Sequence, residues 1–341
     1  MNRETAQFFL TVIVAAALVL VCAASARAQS PVGARAAGMA GAFVGVADDA
    51  TAVYWNPAGL ATGAFASFVF DYGIADTFSD VDEPRAGHRS SVGIIALSLP
   101  PLGLTYYRMG EYGTTPLEAG VSNSGGREEV RRSLEALVTT TIGATVLQSI
   151  TDYLVVGATL KLVRGEAARN SIGQATSSDA LHLAGQLPRR GETTGDLDAG
   201  VMLSGGHVRA GVVARNLTTP AFEVDEPGRE VQLDRQVTAG AGWGSGWPGI
   251  SRVIVGVDAD VTRRHAVEGD RRDVAAGAEV WWARQRLGVR GGVRSSTLGA
   301  HRSSVSSGLS AGITNGIFLE AQAAIGAADQ RSWTVGARIT F

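Results

Sequence analysis

The chain has 341 residues, and 30 Lys and Arg stand against 32 Asp and Glu, so its formal net charge is −2. A charge this close to balance does not indicate a nucleic-acid partner. Glycine accounts for 44 residues, roughly twice its usual frequency. The single cysteine, Cys22, excludes an intramolecular disulfide and a cysteine-based metal site.

The first residues have the pattern of a secretory signal peptide. A polar start precedes an apolar run from Phe8 to Ala24, and the segment ends in the small-x-small sequence Ala26-Arg27-Ala28. We therefore expect residues 1–28 to be a cleaved signal peptide and the mature chain to begin at Gln29.

Two other interpretations of this segment remain open. As an uncleaved anchor, its apolar run is just short of a comfortable membrane span, and as a lipoprotein signal around Cys22, Val21 is too large for the usual motif. Beyond residue 28 the sequence has no run long enough for a transmembrane helix. An exported chain of this kind is either soluble in the periplasm or inserted in the outer membrane.

Residues 29–63 lack strict alternation and are expected to form a separate unit ahead of the strands. The first half of this unit is rich in Ala and Gly, which predicts a closely packed helix or tight coil. Asp48 or Asp49 is expected to cap a short helix. Pro57 disfavours helix at Asn56, so a bend is expected there.

From residue 64 to residue 341, apolar and polar positions alternate with the period of a β-strand. In the segment 252–261, Val and Ala occupy every second position, and the positions between them include Gly256, Asp258 and Asp260. The apolar face continues from segment to segment, whereas the other face mixes Gly, Thr and isolated charges. This pattern is typical of a transmembrane β-barrel, with lipid outside and a polar lumen inside.

About fourteen alternating segments have the length that spans a bilayer. They lie near 64–74, 89–99, 102–112, 133–147, 152–166, 194–204, 207–216, 234–244, 250–263, 271–283, 285–296, 303–314, 316–326 and 331–341. Long connections alternate with tight turns, among them Asn315-Gly316, a strong hairpin signal. The fold class is therefore an all-β antiparallel barrel, with the short turns expected in the periplasm and a small helical hatch at the amino-terminal end.

The last segment ends in an aromatic residue. Trp333, Val335, Ala337, Ile339 and Phe341 share one face of the final strand. This resembles the terminal assembly signal of bacterial outer-membrane proteins. The resemblance implies that Phe341 is recognised by the outer-membrane barrel-assembly machinery, and that the barrel contacts outer-membrane lipid and lipopolysaccharide.

Charged residues on the non-lipid face of the strands are predicted to line the lumen. They are Lys161, Asp196, Asp198, Arg209, Arg215, Asp258, Asp260, Glu279, Arg290, Arg294 and Arg338. A charge facing lipid at mid-bilayer would cost about 2–4 kcal/mol, which favours the lumen for each of them. They form either a salt-bridge mesh that braces the interior and the plug, or a path for a polar solute.

The unit at 29–63 resembles a known family. Its Gly/Ala-rich sequence from Gly33 to Phe43, followed by Ala47-Asp48-Asp49 and Asn56-Pro57-Ala58-Gly59-Leu60, is similar to the hatch of FadL-type outer-membrane transporters for long-chain fatty acids, and equally to PorV-like and TraF-like relatives. The resemblance implies a plugged fourteen-stranded barrel, with Asn56, Pro57, Ala58 and Gly59 as hatch or gate.

Three functions follow from this resemblance. The first is a channel for hydrophobic small molecules such as long-chain fatty acids. The second is a PorV-like accessory that docks secreted proteins for a secretion or conjugation system, and the third is a closed structural barrel.

No enzymatic function is expected. The sequence Gly308-Leu-Ser310-Ala-Gly312 matches a nucleophile motif, but it falls inside an alternating strand and no His follows it. The five histidines lie scattered in predicted loops and turns without metal-ligand spacing, so neither a metal nor a cofactor is expected.

Overall fold

The computed structural model describes residues 32–79, 85–117, 131–173, 175–223, 230–247, 250–266, 269–298 and 303–341. The predicted signal peptide lies outside the described residues. Within them, no helix is long and apolar enough to cross a membrane.

The described residues form eighteen strands. In chain order they are β1 (Ser67–Phe78), β2 (Gly87–Leu99), β3 (Leu102–Pro116), β4 (Arg132–Ser149), β5 (Leu154–Ile172), β6 (Arg190–Gly205), β7 (Val208–Arg215), β8 (Ala221–Glu223), β9 (Glu230–Gln232), β10 (Gln236–Trp247), β11 (Ile250–Asp260), β12 (Arg264–Ala266), β13 (Gly269–Arg271), β14 (Asp273–Trp282), β15 (Leu287–Ser296), β16 (Ser303–Thr314), β17 (Ile317–Gly326) and β18 (Gln330–Thr340).

Fourteen of these strands close a single antiparallel barrel. The order around the wall is β1-β18-β17-β16-β15-β14-β11-β10-β7-β6-β5-β4-β3-β2, and β1 pairs with β18 to complete the ring. The short pairs β8–β9 and β12–β13 form hairpins in two of the long connections. The predicted fourteen-stranded barrel is confirmed.

Alternation along each strand separates an apolar exterior from a polar interior. On β5, Leu160 and Leu162 are 66% and 60% exposed, whereas Lys161 between them is only 4% exposed. Leu309 on β16 and Ile142 on β4 face outward in the same way. An outer surface of bare Leu, Ile and Val is stable only against lipid, so the barrel is of the transmembrane type.

Some strands extend further than their predicted bounds. The fifth strand was expected at 152–166 but continues to Ile172, and the connection expected at 113–132 is shortened from both sides. Tertiary packing explains the extension, because helix α3 (Ser177–Gly185) covers this end of the wall and buries Leu134 against Ala180 and Ala184. The alternating apolar pattern weakens where a helix replaces lipid.

The segment that precedes β1 lies inside the barrel. It contains helix α1 (Ala34–Gly38), helix α2 (Ala52–Trp55) and a 3₁₀ helix (Pro57–Thr62). Every residue from 32 to 53 is buried. We call residues 32–63 the hatch. The hatch occupies the lumen and contacts the inner wall on many strands.

The hatch and the inner wall share one apolar core. Met39, Phe43 and Trp55 of the hatch pack in the same cluster as Val213 on β7 and Ile254 on β11. The Trp55 indole N–H donates to the Val32 carbonyl oxygen at 2.8 Å, which ties the end of α2 to the start of the hatch. The helical hatch expected from the sequence is therefore a folded plug that is continuous with the wall.

Phe341 and Phe65 mark the short-turn rim, and they allow a matched test of the proposed assembly signal. Both side chains are exposed, by 81% and 73%, and the Phe341 backbone pairs with Ala66 beside the β1–β18 seam. Phe341→Asp keeps the backbone pairing but removes the aromatic ring. We expect a fall in folded, heat-modifiable protein, while Phe65→Asp leaves it unchanged. Equal loss in both variants would contradict a specific role for Phe341.

Candidate functional site

The hatch is held by a buried cluster of charges centred on Arg35 of α1. The Arg35 guanidinium lies 2.7 Å from Glu279 Oε2 on β14 and 3.1 Å from Asp49 Oδ2, and it also contacts Asp48. All four side chains are almost completely buried. A buried charge is tolerated only with such compensation, so the position of the hatch depends on this cluster.

Asp48 connects the hatch to two further strands. Its Oδ2 lies 2.5 Å from Arg252 on β11 and 3.7 Å from Arg209 on β7. Burial by itself would raise the pKa of the Asp48 carboxyl, but Arg35, Arg252 and Arg209 outweigh that effect and hold the pKa well below its ordinary value. The carboxylate stays charged near neutral pH.

The expected helix cap at Asp48 or Asp49 is not formed. Thr51 occupies the N-cap of α2 without a side-chain cap, and Asp49 Oδ1 accepts from the Thr51 backbone N–H at 2.9 Å. Asp48 is instead engaged by arginines. A sequence-local rule fails here because the wall supplies stronger partners than the helix end does.

The charge cluster continues around the wall beyond Arg35. Arg290 on β15 lies 3.4 Å from Glu279 and 3.6 Å from Glu320 on β17, and Arg338 on β18 lies 3.0 Å from Glu320. The Ser310 hydroxyl donates to Glu320 at 2.9 Å, so the serine of the nucleophile-like motif is a structural donor. These contacts link the charged side chains of the inner wall into a network of ion pairs, and they do not outline an open path for a polar solute.

Two carboxylates on the wall hold the hatch backbone directly. Asp258 Oδ2 accepts from the Phe43 and Val44 amides, each at 2.7 Å, and Asp71 Oδ2 accepts from the Ala34 amide at 2.9 Å. Backbone groups at the lumen centre would otherwise be unsatisfied. The wall therefore fixes the backbone path of the hatch at two separate points.

Two other predicted lumen residues lie near the long-loop end. Asp260 accepts from the Thr238 hydroxyl at 2.9 Å and from the Asp273 amide at 3.1 Å. Arg294 lies 3.8 Å from Asp273, with its side chain 13% exposed. Both residues contribute to the wall near the hatch rather than to the Arg35 cluster.

The predicted gate residues form a bend that contacts β6. The Asn56 amide donates to Val44 O at 3.3 Å and to Val201 O at 3.1 Å, while Asn56 Oδ1 accepts from the Ala58 amide at 3.2 Å. Pro57 begins the 3₁₀ helix. A methyl group at Gly59 would overlap Ala47 O. The structure thus brings the four residues together and ties them to the wall.

Glycines on the inner wall allow the hatch backbone to touch the barrel. A methyl group added at Gly277 would lie 2.6 Å from Met39 O, and one added at Gly256 would lie 2.8 Å from Ala42 O. Real side chains do not approach so closely, and only glycine permits this contact. Part of the high glycine content is therefore explained by the inner wall, where glycines form a surface without side chains against which the hatch backbone packs. We call this surface the glycine seat.

A partly open cavity of about 90 Å³ lies beside the hatch. Its lining combines Tyr54 of the hatch with residues of β3, β4, β5, β7 and β10 and of the connection after β7. They are Tyr107, Met109, Glu111, Leu137, Thr139, Thr141, Lys161, Val163, Arg215, Asn216, Leu233 and Gln236. Two of the predicted lumen residues, Lys161 and Arg215, therefore line a site that could receive a ligand.

The sequence analysis did not select four charged residues that hold the hatch or belong to the charge cluster around it. They are Arg35, Asp71, Arg252 and Glu320. Arg35 carries a usable signal, because it is an isolated charge in a segment of Ala and Gly. Arg252 and Glu320 share the inward parity of their strands and were available to the same argument. Asp71 also has the inward parity of its strand, but its partner is a backbone amide of the hatch, and no sequence pattern indicates such a partner.

Fourteen strands in a closed barrel, an apolar exterior and a lumen occupied by a hydrogen-bonded hatch together define a plugged β-barrel of the outer-membrane type. Comparison with solved structures agrees over almost the whole chain. The chain is similar to the CymD monoaromatic hydrocarbon channel with a TM-score of 0.60 and 14% identity, over 93% of this chain and 99% of that one. It has the fold of the FadL-type channels, so the resemblance seen in the hatch sequence is confirmed at the level of the fold.

Two further solved structures show the same fold. The toluene transporter TodX of P. putida gives a TM-score of 0.57 at 12% identity, over 92% of this chain and 99% of that one. A FadL homologue of Pseudomonas aeruginosa gives a TM-score of 0.57 at 11% identity, over 93% and 100%.

Sequence comparison gives a narrower result. Residues 131–260, less than half of the chain, match the family described as the TraF protein of the F plasmid transfer operon. Among curated proteins, no sequence matches the chain.

The glycine seat generates a matched pair of variants on β15. A methyl group at Gly292 would lie 2.6 Å from Met39 O and 2.8 Å from Ala40 N, whereas at neighbouring Gly291 the nearest atom is 3.7 Å away. We expect Gly292→Ala to displace the hatch and raise conductance in planar bilayers, and Gly291→Ala to leave it unchanged. Equal conductance of both variants, at equal amounts of folded barrel, would show that the seat is not tight.

The charge cluster generates a second prediction. Asp48→Asn leaves the three arginines around it without their shared carboxylate, at a cost of about 3 kcal/mol to hatch docking. We expect trypsin to cut the folded variant after Arg35 much faster than the wild type. Asp152→Asn, at an exposed turn position, is the control. Unchanged cleavage in Asp48→Asn would mean that the apolar core alone holds the hatch.

Proposed function

We propose that the protein is a bacterial outer-membrane channel for small hydrophobic molecules, with the hatch as its gate. The observation that carries the proposal is a cavity bounded by both the hatch residue Tyr54 and the wall, inside a barrel with the fold of hydrocarbon channels. A molecule in this cavity touches the movable part and the fixed part of the channel together.

Passage requires a change in the hatch. At its level the lumen is filled by buried residues, and wall glycines touch the hatch backbone. The contacts that hold it are of two kinds, a compact apolar core and discrete charge and hydrogen-bond pairs. Water molecules replace the partners of such ion pairs and hydrogen bonds when the hatch moves. A partial shift of the hatch is therefore the step that opens a path through the lumen.

The size of the cavity limits the substrate. Its volume of about 90 Å³ is far below the range of roughly 300–1,000 Å³ that holds drug-sized ligands. Because the cavity is partly open, it encloses only part of a ligand of either kind. Channels for toluene and for other monoaromatic hydrocarbons share this fold, and this likeness favours a single aromatic ring over the long-chain acid expected from the sequence.

A second candidate function rests on the family match. The matched residues 131–260 extend from β4 to β11 and include α3 and the β8–β9 hairpin in the long connections. An accessory of a conjugation or secretion system would use these connections to dock a protein partner, with the hatch permanently closed. This candidate predicts no solute flux.

Uptake by cells separates the two candidates. Labelled toluene and labelled palmitate are supplied to a deletion strain and to the strain complemented with the gene. We expect complementation to speed toluene uptake and to affect palmitate uptake less. If neither compound enters faster, at equal amounts of folded barrel in the outer membrane, the docking candidate is favoured.

The bend at Asn56 provides a test of the gate. Asn56→Ala combined with Pro57→Ala removes the contacts to Val201 and Val44 and frees the backbone. We expect a looser hatch in an intact barrel, seen as higher conductance and greater sensitivity to bulky hydrophobic antibiotics. Leakage equal to that of the wild type would make the bend a simple linker and the hatch a fixed plug.

A further inference from the structure

The connection that follows β7 folds back onto the inner face of the wall. We call residues 216–223 the strap, and β8 forms its end. Phe222 of the strap is 1% exposed, and its ring lies against Gly165 on the inner face of β5. A methyl group added at Gly165 would overlap this ring. Gly165 is therefore a socket that the Phe222 ring fills, and the strap has a definite position.

Three charged residues of the wall hold the base of the strap. Lys161 Nζ on β5 lies 2.7 Å from Asp196 and 2.6 Å from Asp198, which are both on β6. Asp198 accepts from the Asn216 amide at 2.9 Å, and Asp196 accepts from the Thr218 hydroxyl at 2.8 Å. Since each carboxylate binds both the lysine and the strap, these ion pairs fix the point at which the strap leaves β7.

The backbone at the base of the strap is strained. Asn216 and Thr219 have φ angles of 54° and 50°, in the left-handed region. This conformation is unfavourable for a β-branched residue such as Thr219, and it persists only where surrounding contacts hold it. The strap is therefore a segment that polar contacts keep in place against the preference of its own backbone.

The strap also borders the cavity beside the hatch. Leu233 lines the cavity, and its amide donates to the Pro220 carbonyl oxygen of the strap at 2.8 Å. On β5, Val163 lines the cavity, and Gly165 is the next inner-face position along the strand. Phe222 therefore covers the wall directly beyond the cavity, on the side of the long connections.

We propose that the strap is a second gate, which closes the cavity on the side of the long connections as the hatch closes the lumen on the other side. The inference rests on the proposed channel function and adds the regulation of entry to it. With Phe222 in its socket the cavity has only about 90 Å³, far below the size of an ordinary ligand site. Withdrawal of the ring, together with the attached Leu233, enlarges the cavity and admits a hydrophobic molecule. Return of the ring then encloses that molecule against the hatch.

Thiol labelling tests the strap without reference to any substrate. Cys22 is the only cysteine of the chain and lies in the predicted signal peptide, so Thr139→Cys in the cavity lining gives the processed protein a single thiol. Its reaction rate with a small methanethiosulfonate is measured on the folded barrel in detergent, alone and combined with Phe222→Ala, Gly165→Ala or Gly113→Ala. Gly113 is the matched control, because a methyl group added there has its nearest neighbour at 3.9 Å. Heat-modifiable migration on gels verifies that each variant is folded.

We expect Phe222→Ala and Gly165→Ala to increase the labelling rate about tenfold, because either change removes the ring from its socket and weakens the closed state. Gly113→Ala should stay within about twofold of the reporter alone. Unchanged labelling in both Phe222→Ala and Gly165→Ala overturns the proposal, as does an equal rise in Gly113→Ala.

A disulfide across the socket locks the strap and tests its role in uptake. A methyl group at Gly165 would overlap Cγ of Phe222, so the Cβ atoms of the two positions lie within the range of a disulfide. Cells with Phe222→Cys and Gly165→Cys should lose toluene uptake on oxidation and regain it on reduction. Phe222→Cys alone, with the same oxidant, should keep its uptake. Equal uptake by the oxidised and reduced forms of the double variant contradicts a gate, and this comparison uses one and the same folded protein.

The two measurements separate the strap from the channel function. Faster labelling in Phe222→Ala, with no toluene uptake by any strain, supports the strap as a barrier and refutes the channel. Toluene uptake by the wild type, with neither labelling nor uptake altered by the substitutions or by oxidation, refutes the strap alone.

Discussion

The constraint on which this structure depends is the hydrogen bonding of the backbone in lipid. A sheet in a membrane has no water at its edges, so β1 must pair with β18 and the wall must close. Closure creates an interior, and alternation places every second side chain there. The charged side chains of the lumen, the hatch that forms ion pairs with them and the cavity beside the hatch all depend on that closed wall.

The interior resolves a conflict between two requirements. Apolar side chains occupy the lipid-facing positions, and polar or charged side chains occupy many of the lumen positions between them. These polar groups are buried and need partners inside the barrel. Arg35 and Asp48 enter from the hatch and satisfy Glu279, Arg252 and Arg209 on three different strands. The hatch is thus part of the electrostatic structure of the barrel as well as an obstruction in it.

The parts of the structure that could be predicted from sequence are those with a local period. Alternation located all fourteen strands and placed Lys161, Glu279 and Arg290 on the inner face. The partners of these residues were not predictable, because they are set by strand order and by the depth of the hatch. Arg35 meets Glu279 across 244 positions of sequence, and no spacing rule reports such a contact. Strand ends under α3 were missed for a related reason, since a covering helix replaced the lipid that produces the pattern.

The position of the hatch also affects how the barrel closes. It contacts strands from β1 to β18, and its backbone lies against wall glycines that leave no clearance. The hatch directly precedes β1, and its first helix contacts β1 on one side of the seam and β15 to β18 on the other. A docked hatch therefore holds the two edge strands of the wall beside each other, so docking of the hatch and closure of the seam stabilise one another.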